Sequence, residues 1–289
     1  MKVLIVGLGL MGGAYALRLK KKGHTVYGVD INENSIKFAK ENNYIDDGSL
    51  DAKDFLDKSD LIILCIYPQA ILNFIKTNNH LFREGQVVTD ICGVKESFVE
   101  EASKLINKAS YCSHHPMAGK EKVGVEYSHL CRFDDANYLV TPSYSTTEEA
   151  IKVVEELGHE LEFKNISVIS TKRHDSVVGF TSQLTHAIAV SLVNSDRDKD
   201  TKNFIGDSYR DLTRIAMINE NLWSELFLEN KDNLLKHIIS FEIELNEIKK
   251  ALLNNDKKRL EELFISSTKI RKEMEKTWYY SVFTTGNKQ

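Results

Sequence analysis

The sequence predicts an α/β protein, with a doubly wound, mainly parallel sheet in residues 1–168 and an all-helical domain in residues 169–289. Three observations carry that reading. Short apolar runs alternate with helical stretches through the first part of the chain, the pattern of strands joined by crossover helices. A glycine-rich turn stands where the first strand meets the first helix. After about Ser170 strand signals stop and helical periods take over.

Taken in order, "KVLIVG" at Lys2 reads as a buried strand, and "GGAYALRLKKKG" as a helix stopped by Gly23. "TVYGVD" is a second strand. "NENSIKFAKENN" is a helix whose start is marked by Asn32 or Asn34. "DLIILCIYP", "QVVTDIC", "SYCSHHP" and "ANYLVTP" supply further strands, the first ended by Pro68. In the helical part Leu234, Ile238, Phe241, Leu245, Ile248 and Leu252 form a stripe of the a/d kind. "NND" at Asn254 breaks it. A second stripe through Leu260, Leu263, Phe264, Ile270 and Met274 then predicts a helical hairpin.

Bulk composition narrows the function. With 289 residues and 42% apolar content the chain can build two cores. A net charge of −4 without a basic stripe argues against a nucleic-acid partner. Cys65, Cys92, Cys112 and Cys131 lack metal-ligand spacing and fit buried thiols in a reducing cytoplasm, so no metal site is expected. The opening "MKVLIVGLGLMGGAYAL" imitates a signal peptide, yet a signal needs neither three spaced glycines nor a second strand ending in an acid. No other run reaches the roughly 18 apolar residues of a membrane span, so no membrane association is expected.

Gly7, Leu8, Gly9, Leu10, Met11 and Gly12 spell G-x-G-x-x-G between strand and helix, and Asp30 ends the second strand. This is the Rossmann-type dinucleotide turn. Gly7 makes the tight turn, Gly9 admits a pyrophosphate, and Gly12 lets helix and strand approach. The helix N-terminus offers free N–H groups to the phosphates. Asp30 would bond the adenosine ribose and repel a 2′-phosphate, so NAD is expected rather than NADP. The competing reading is a turn that merely requires glycine.

His115 precedes Pro116, which drives its backbone to an extended conformation at a strand's carboxyl end, the ligand edge of an open parallel sheet. Its imidazole suits proton abstraction near neutrality. A purely hydrogen-bonding role is the alternative. His114 points to the opposite side and reads as structural. Ser182 and His186 share one helix face at i, i+4, either lining a site or forming a polar patch between helices. Arg210 and Arg214 are likewise at i, i+4. They either clamp a dicarboxylate by their planar forks or pair with Asp207 and Asp211.

"GLGLMGG", "HPMAGKEKVGVE", "SQLTHAIA", "YRDLTRIA" and "LWSELFLENKDNL", in this order, resemble the prephenate dehydrogenase family over nearly the whole chain. The resemblance implies a Rossmann domain followed by a helical dimerisation domain, a homodimer, and an active site between the two. It implies oxidative decarboxylation of prephenate with NAD in tyrosine biosynthesis. His115 matches the catalytic histidine and Arg214 the carboxylate-binding arginine. Ser182 and His186 match pocket positions, and Glu121 an acid near the pocket mouth. Many members carry a serine where this chain has Gly93, and some a histidine where it has Gln183. Arogenate dehydrogenase is the nearest alternative activity. A non-catalytic NAD-responsive binding protein is an alternative of another class.

Overall fold

The computed structural model describes the backbone of residues 1–120 and 122–284, with side chains as far as residue 275. The chain forms two compact units, Met1–Leu234 and Leu235–Gln289.

The first unit is built on β1 (Lys2–Val6), β2 (Thr25–Val29), β3 (Asp47–Ser49), β4 (Leu61–Leu64), β5 (Val87–Asp90) and β6 (Ser110–Tyr111). All neighbours in this sheet are parallel, in the order β3-β2-β1-β4-β5-β6. The run that imitates a signal peptide is therefore a central strand. Helices α1 (Leu10–Lys21) and α5 (Glu148–Glu160) cover one face. Helices α3 (Pro68–Asn78) and α4 (Val99–Leu105) cover the other. Val3, Ile5, Leu61 and Ile63 point into the first layer, while Leu4, Val6, Ile62 and Leu64 point into the second. Burial on both faces explains why these strands read as unbroken apolar runs. Helix α2 (Glu33–Glu41) starts at Asn32, whose side chain accepts from Asn34 N. The strand order reverses between β1 and β4, so their carboxyl ends border the crevice where such sheets bind ligands.

"SYCSHHP" is not one strand of the parallel sheet, which corrects the sequence reading. Cys112 N still bonds Val88 O, but the chain then leaves as β7 (Ser113–Pro116). This strand pairs antiparallel with β8 (Asn137–Thr141), which pairs parallel with β9 (Asn165–Val168). Partner choice decides the difference: His114 stacks on Tyr138 of β8 at 4.6 Å between ring centres. β3 (Asp47–Ser49) carries no apolar signal, and β9 offers only Ile166 and Val168, too short an alternation to be legible.

Beyond β9 the described backbone is helical. Ser170 caps α6 (Thr171–Val178), accepting from Arg173 N. A π-helical turn (Gly179–Leu184) leads into α7 (Thr185–Ser195). By length and composition this rod, Thr171–Ser195, is apolar enough to cross a membrane, contrary to the expectation that no such run exists. The polar cluster Thr181, Ser182, Gln183, Thr185 and His186 interrupts the run and hides its average apolarity. Its His174 and Asp175 are nevertheless hydrogen-bonded to β7 and to the loop after β5 inside this unit. Next come α8 (Asp207–Thr213), a 3₁₀ turn (Arg214–Ala216) and α9 (Glu220–Glu229).

The predicted hairpin is α10 (Lys231–Leu253) and α11 (Lys257–Thr284). Asn255 turns between them at φ +52°, and Asp256 accepts from Arg259 N to start α11. Arg259 joins the two helices through Glu247 at 3.1 Å. Much of both stripes remains exposed, including Leu245, Leu252, Phe264, Ile270 and Met274.

Candidate active site

The glycine turn closes as its sequence requires. Gly7 has φ +96°, and a Cβ there would lie 2.5 Å from Cys65 O at the end of β4. A Cβ on Gly12 would lie 1.9 Å from Gly7 O, so helix and turn touch backbone to backbone. At Gly9 nothing lies within 4 Å of the Cβ position, leaving space for a ligand's approach. Gly9 also caps α1 without a side chain, and no acid occupies the first turn, so the helix end stays suited to an anion. Leu8 is buried, Leu10 and Met11 half-buried. Asp30 braces this turn: Oδ2 accepts from Leu8 N at 2.6 Å and Oδ1 from Asn32 N at 2.8 Å. Each oxygen keeps a further lone pair for a hydroxyl.

His115 is half-buried near the end of β7. Its Nδ1 lies 2.9 Å from His174 Nε2, and His174 Nδ1 lies 2.7 Å from Asp175 Oδ1. Asp175 also accepts from Lys95 N at 2.9 Å and Glu96 N at 2.7 Å. Lys95 is fully buried. Its ammonium donates to Asp90 at 3.0 Å and to the His114 carbonyl at 2.7 Å, tying the end of β5 to β7. Tyr111 OH donates to the other Asp90 oxygen at 2.6 Å. His114 faces away from His115, toward Tyr15 OH at 2.9 Å and Thr89 Oγ1 at 2.6 Å.

Helix α9 joins the remaining parts. Trp223 stacks on His186 with 3.7 Å between ring centres. Leu226, one turn on, lies 3.6 Å from where a Cβ on Gly93 would stand, and His115 Cε1 lies 3.7 Å from the same point. His186 Nδ1 donates to Ser182 O at 2.9 Å. Gln183 is buried, donates to Leu226 O at 3.1 Å and accepts from Asn230 Nδ2 at 2.7 Å. Glu225 accepts from Gln69 N at 2.9 Å, seating α9 beside the first turn of α3. Ser182 and His186 thus lie on a wall linked through α9 to the His115 corner. Their π-helical turn is a local irregularity of the sort that collects at functional sites.

The 3₁₀ turn that begins with Arg214 packs on α7, the helix of His186. Arg210 is exposed and pairs with Asp207 at 2.6 Å, the intrahelical alternative. Glu121 lies outside the described residues.

Removal from water pulls His115 well below the ordinary imidazole range, reinforced by His174 and Lys95. Burial, then Lys95, does the same to His174. Asp175 is pushed up to about 6 by burial, against its two backbone N–H bonds and Lys95. At neutral pH the imidazoles are therefore uncharged and Asp175 is ionised. A neutral imidazole has one donor and one acceptor nitrogen.

Two family models match this chain. Residues 15–166 match the prephenate dehydrogenase nucleotide-binding domain, and residues 170–266 the prephenate dehydrogenase dimerization domain. The chain belongs to the prephenate dehydrogenase family. Among relatives, the prephenate dehydrogenase of Lactococcus lactis subsp. cremoris is 29% identical, over 95% of this chain and 77% of its own length. The crystal structure of prephenate dehydrogenase from A. aeolicus in complex with hydroxyphenyl propionate and NAD+ is similar at TM-score 0.84 and 31% identity. That match covers 95% of this chain and 98% of the other. Synechocystis arogenate dehydrogenase is similar at TM-score 0.79 and 25% identity, over 95% and 100% of the two chains.

Within this prephenate dehydrogenase fold, sequence reasoning missed His174, Asp175, Lys95, Asp90 and Trp223. Lys95 and Asp90 carried a readable hint, since a buried strand ending in an acid and followed five residues later by a lysine can close an ion pair. His174 sits in "TKRHDS", whose polar look resembles an ordinary helix start.

Proposed function

We propose that the chain oxidatively decarboxylates prephenate to 4-hydroxyphenylpyruvate, with NAD as hydride acceptor, in tyrosine biosynthesis. The single observation that carries this reading is the setting of His115. Its Nδ1 is engaged by His174, its ring borders Gly93, and α9 links that corner to the wall of Ser182 and His186. Family membership and the named relatives support the same activity.

The residues fit NAD. The open side of Gly9 and the uncapped start of α1 take the pyrophosphate, with Gly7, Leu8, Leu10, Met11 and Gly12 shaping the turn. Asp30 takes the ribose hydroxyls with its remaining lone pairs and disfavours a 2′-phosphate. When bound, NAD supplies the acceptor for the hydride from the substrate's carbinol carbon. His115 Nε2 accepts the carbinol proton as the ring carboxylate departs as carbon dioxide, and returns it to the phenol oxygen of the product. Arg214 holds a substrate carboxylate. Ser182 and His186 line the pocket, and Arg210 would reach a substrate carboxylate only by leaving Asp207. The functional division then falls near residue 168, with cofactor contacts before it and substrate contacts largely after it.

The exposed stripes of α10 and α11 support a homodimer formed through the helical part. Four free cysteines fit a reducing cytoplasm.

Arogenate is the second reading, because the Synechocystis arogenate dehydrogenase is similar over the same span. Following NADH formation with prephenate and with arogenate decides between them. Turnover of prephenate at the higher kcat/KM supports the proposal. Turnover of arogenate alone replaces the substrate, and turnover of neither rejects both.

A further inference from the structure

We infer that His174 and Asp175 are positioning residues that fix the tautomer of His115, so that its Nε2 carries the lone pair and its Nδ1 the proton. This rests on the reading of His115 as the base and deepens it. The hydrogen bonds run outward from a fixed end. Asp175 accepts from two backbone N–H groups, Lys95 N at 2.9 Å and Glu96 N at 2.7 Å, which hold the ionised carboxylate in one orientation. An ionised carboxylate only accepts. His174 Nδ1, 2.7 Å away, must therefore be the donor. A neutral imidazole has one N–H, so His174 Nε2 must accept. His115 Nδ1, 2.9 Å from it, must donate. One assignment remains for His115, with Nε2 unprotonated and available for a hydroxyl proton.

The anchor is well placed for the task. His174 and Asp175 are buried, so water does not compete for these bonds. The loop that holds Asp175 also supplies Lys95, whose ammonium grips the His114 carbonyl, one residue before His115. Ring orientation and backbone position of His115 are thus set from a single loop. Without His174, the buried Nδ1 would lose its partner and either nitrogen could carry the proton.

The test combines spectroscopy and kinetics on the full-length protein. Long-range 1H–15N correlation on imidazole-labelled enzyme reads each ring's tautomer, with His115→Asn identifying the His115 signals. In the wild type, Nε2 of His115 should show the shift of an unprotonated ring nitrogen. A protonated Nε2 overturns the inference. This measurement needs no substrate, so it stands or falls separately from the activity: absence of prephenate turnover would sink the proposed function and leave the tautomer measurable. Asp175→Asn can turn an amide N–H toward His174 Nδ1 and reverse both rings. It should move the proton to His115 Nε2 and lower kcat by about 10²-fold or more, with KM changed less than about threefold. His174→Gln can still present a carbonyl oxygen to His115 Nδ1 and should retain more kcat than His174→Leu. NAD affinity, read by fluorescence quenching, should stay within about threefold in all folded variants. Unchanged kcat and tautomer in Asp175→Asn, or equal losses in His174→Gln and His174→Leu, would overturn the inference.

Discussion

His115 and Arg214 should separate kinetically, because they meet different features of the reaction. The carbinol proton is shed only in the transition state, whereas a carboxylate is present from the start. An interaction gained only in the transition state acts on kcat, and one made equally in both states acts on KM. His115→Asn should therefore cut kcat by about 10²–10⁴-fold with a smaller change in KM. Arg214→Ala should raise KM, since a charge-assisted hydrogen bond contributes about 1.5–3 kcal/mol. Arg214→Lys should recover part of the loss, because an ammonium lacks the planar fork. Steady-state kinetics on purified variants checks all three, and full kcat in His115→Asn removes the histidine from the mechanism.

Protonation supplies a second test at this scale. His114, His115 and His174 all sit below the ordinary imidazole range, chiefly through burial. Their contribution to stability is complete above the unfolded value of about 6.5 and is lost as pH falls toward the folded values. Asp175, raised to about 6, acts in the opposite sense: its contribution is full below its unfolded value and lost as pH rises through about 6. Three groups oppose one, so acidification from pH 7 to 5 should destabilise the fold. The limiting slope is about 1.4 kcal/mol per pH unit for each net proton taken up on unfolding. Urea unfolding across that range measures it, and stability that rises on acidification contradicts the assignment of buried neutral histidines. The acid limb of kcat/KM should likewise lie below the ordinary histidine range, rather than near 6.5, for the same reason.

At the scale of elements, the glycine turn does two separable things. A methyl on Gly12 would meet Gly7 O at 1.9 Å, a backbone atom that cannot swing aside. Gly12→Ala should cost on the order of 1–3 kcal/mol of stability through overpacking. A methyl on Gly9 meets nothing within 4 Å. Gly9→Ala should leave the melting temperature within a few degrees, since glycine exceeds alanine at a helix N-cap by only about 1 kcal/mol. It should weaken NAD binding about tenfold or more, because the methyl enters the phosphate's approach. Calorimetric melting and NAD titration of both variants check the split, and a Gly9→Ala variant with unaltered NAD affinity would place the pyrophosphate elsewhere.

For the whole molecule, assembly is the open question with a direct answer. Ile243, Leu245, Leu252, Phe264, Ile265, Ile270 and Met274 are each about half or more exposed in the single chain. So many exposed apolar side chains along one hairpin are what a second copy would cover. Light scattering at micromolar concentration should report a dimer, and Phe264→Glu with Ile270→Glu should shift it to monomer. A wild-type monomer rules the proposal out.

Much of this molecule was legible because its signals are local. Unbroken apolar runs report strands covered on both faces, and the spacing of Gly7, Gly9 and Gly12 reports a left-handed turn, an open side and a backbone-to-backbone contact in that order. Asn32 and Asn254 marked a helix start and a helix break through short-range chemistry. Pro116 constrains His115 to an extended backbone within one residue, but the sheet that strand joins is not the parallel one the sequence suggested. Only the tertiary structure decided the features that depend on meetings between distant parts of the chain. It split "SYCSHHP" between two sheets, because the alternative to continuing beside β5 was a partner strand some 20 residues further on. It brought His174, 59 residues beyond His115, onto that imidazole, with Asp175 behind His174 and held by the loop of Lys95. Periodicity measures which face of an element is apolar. It carries no term for which polar side chains, each ordinary in its own helix or loop, will be buried against one another when the elements pack.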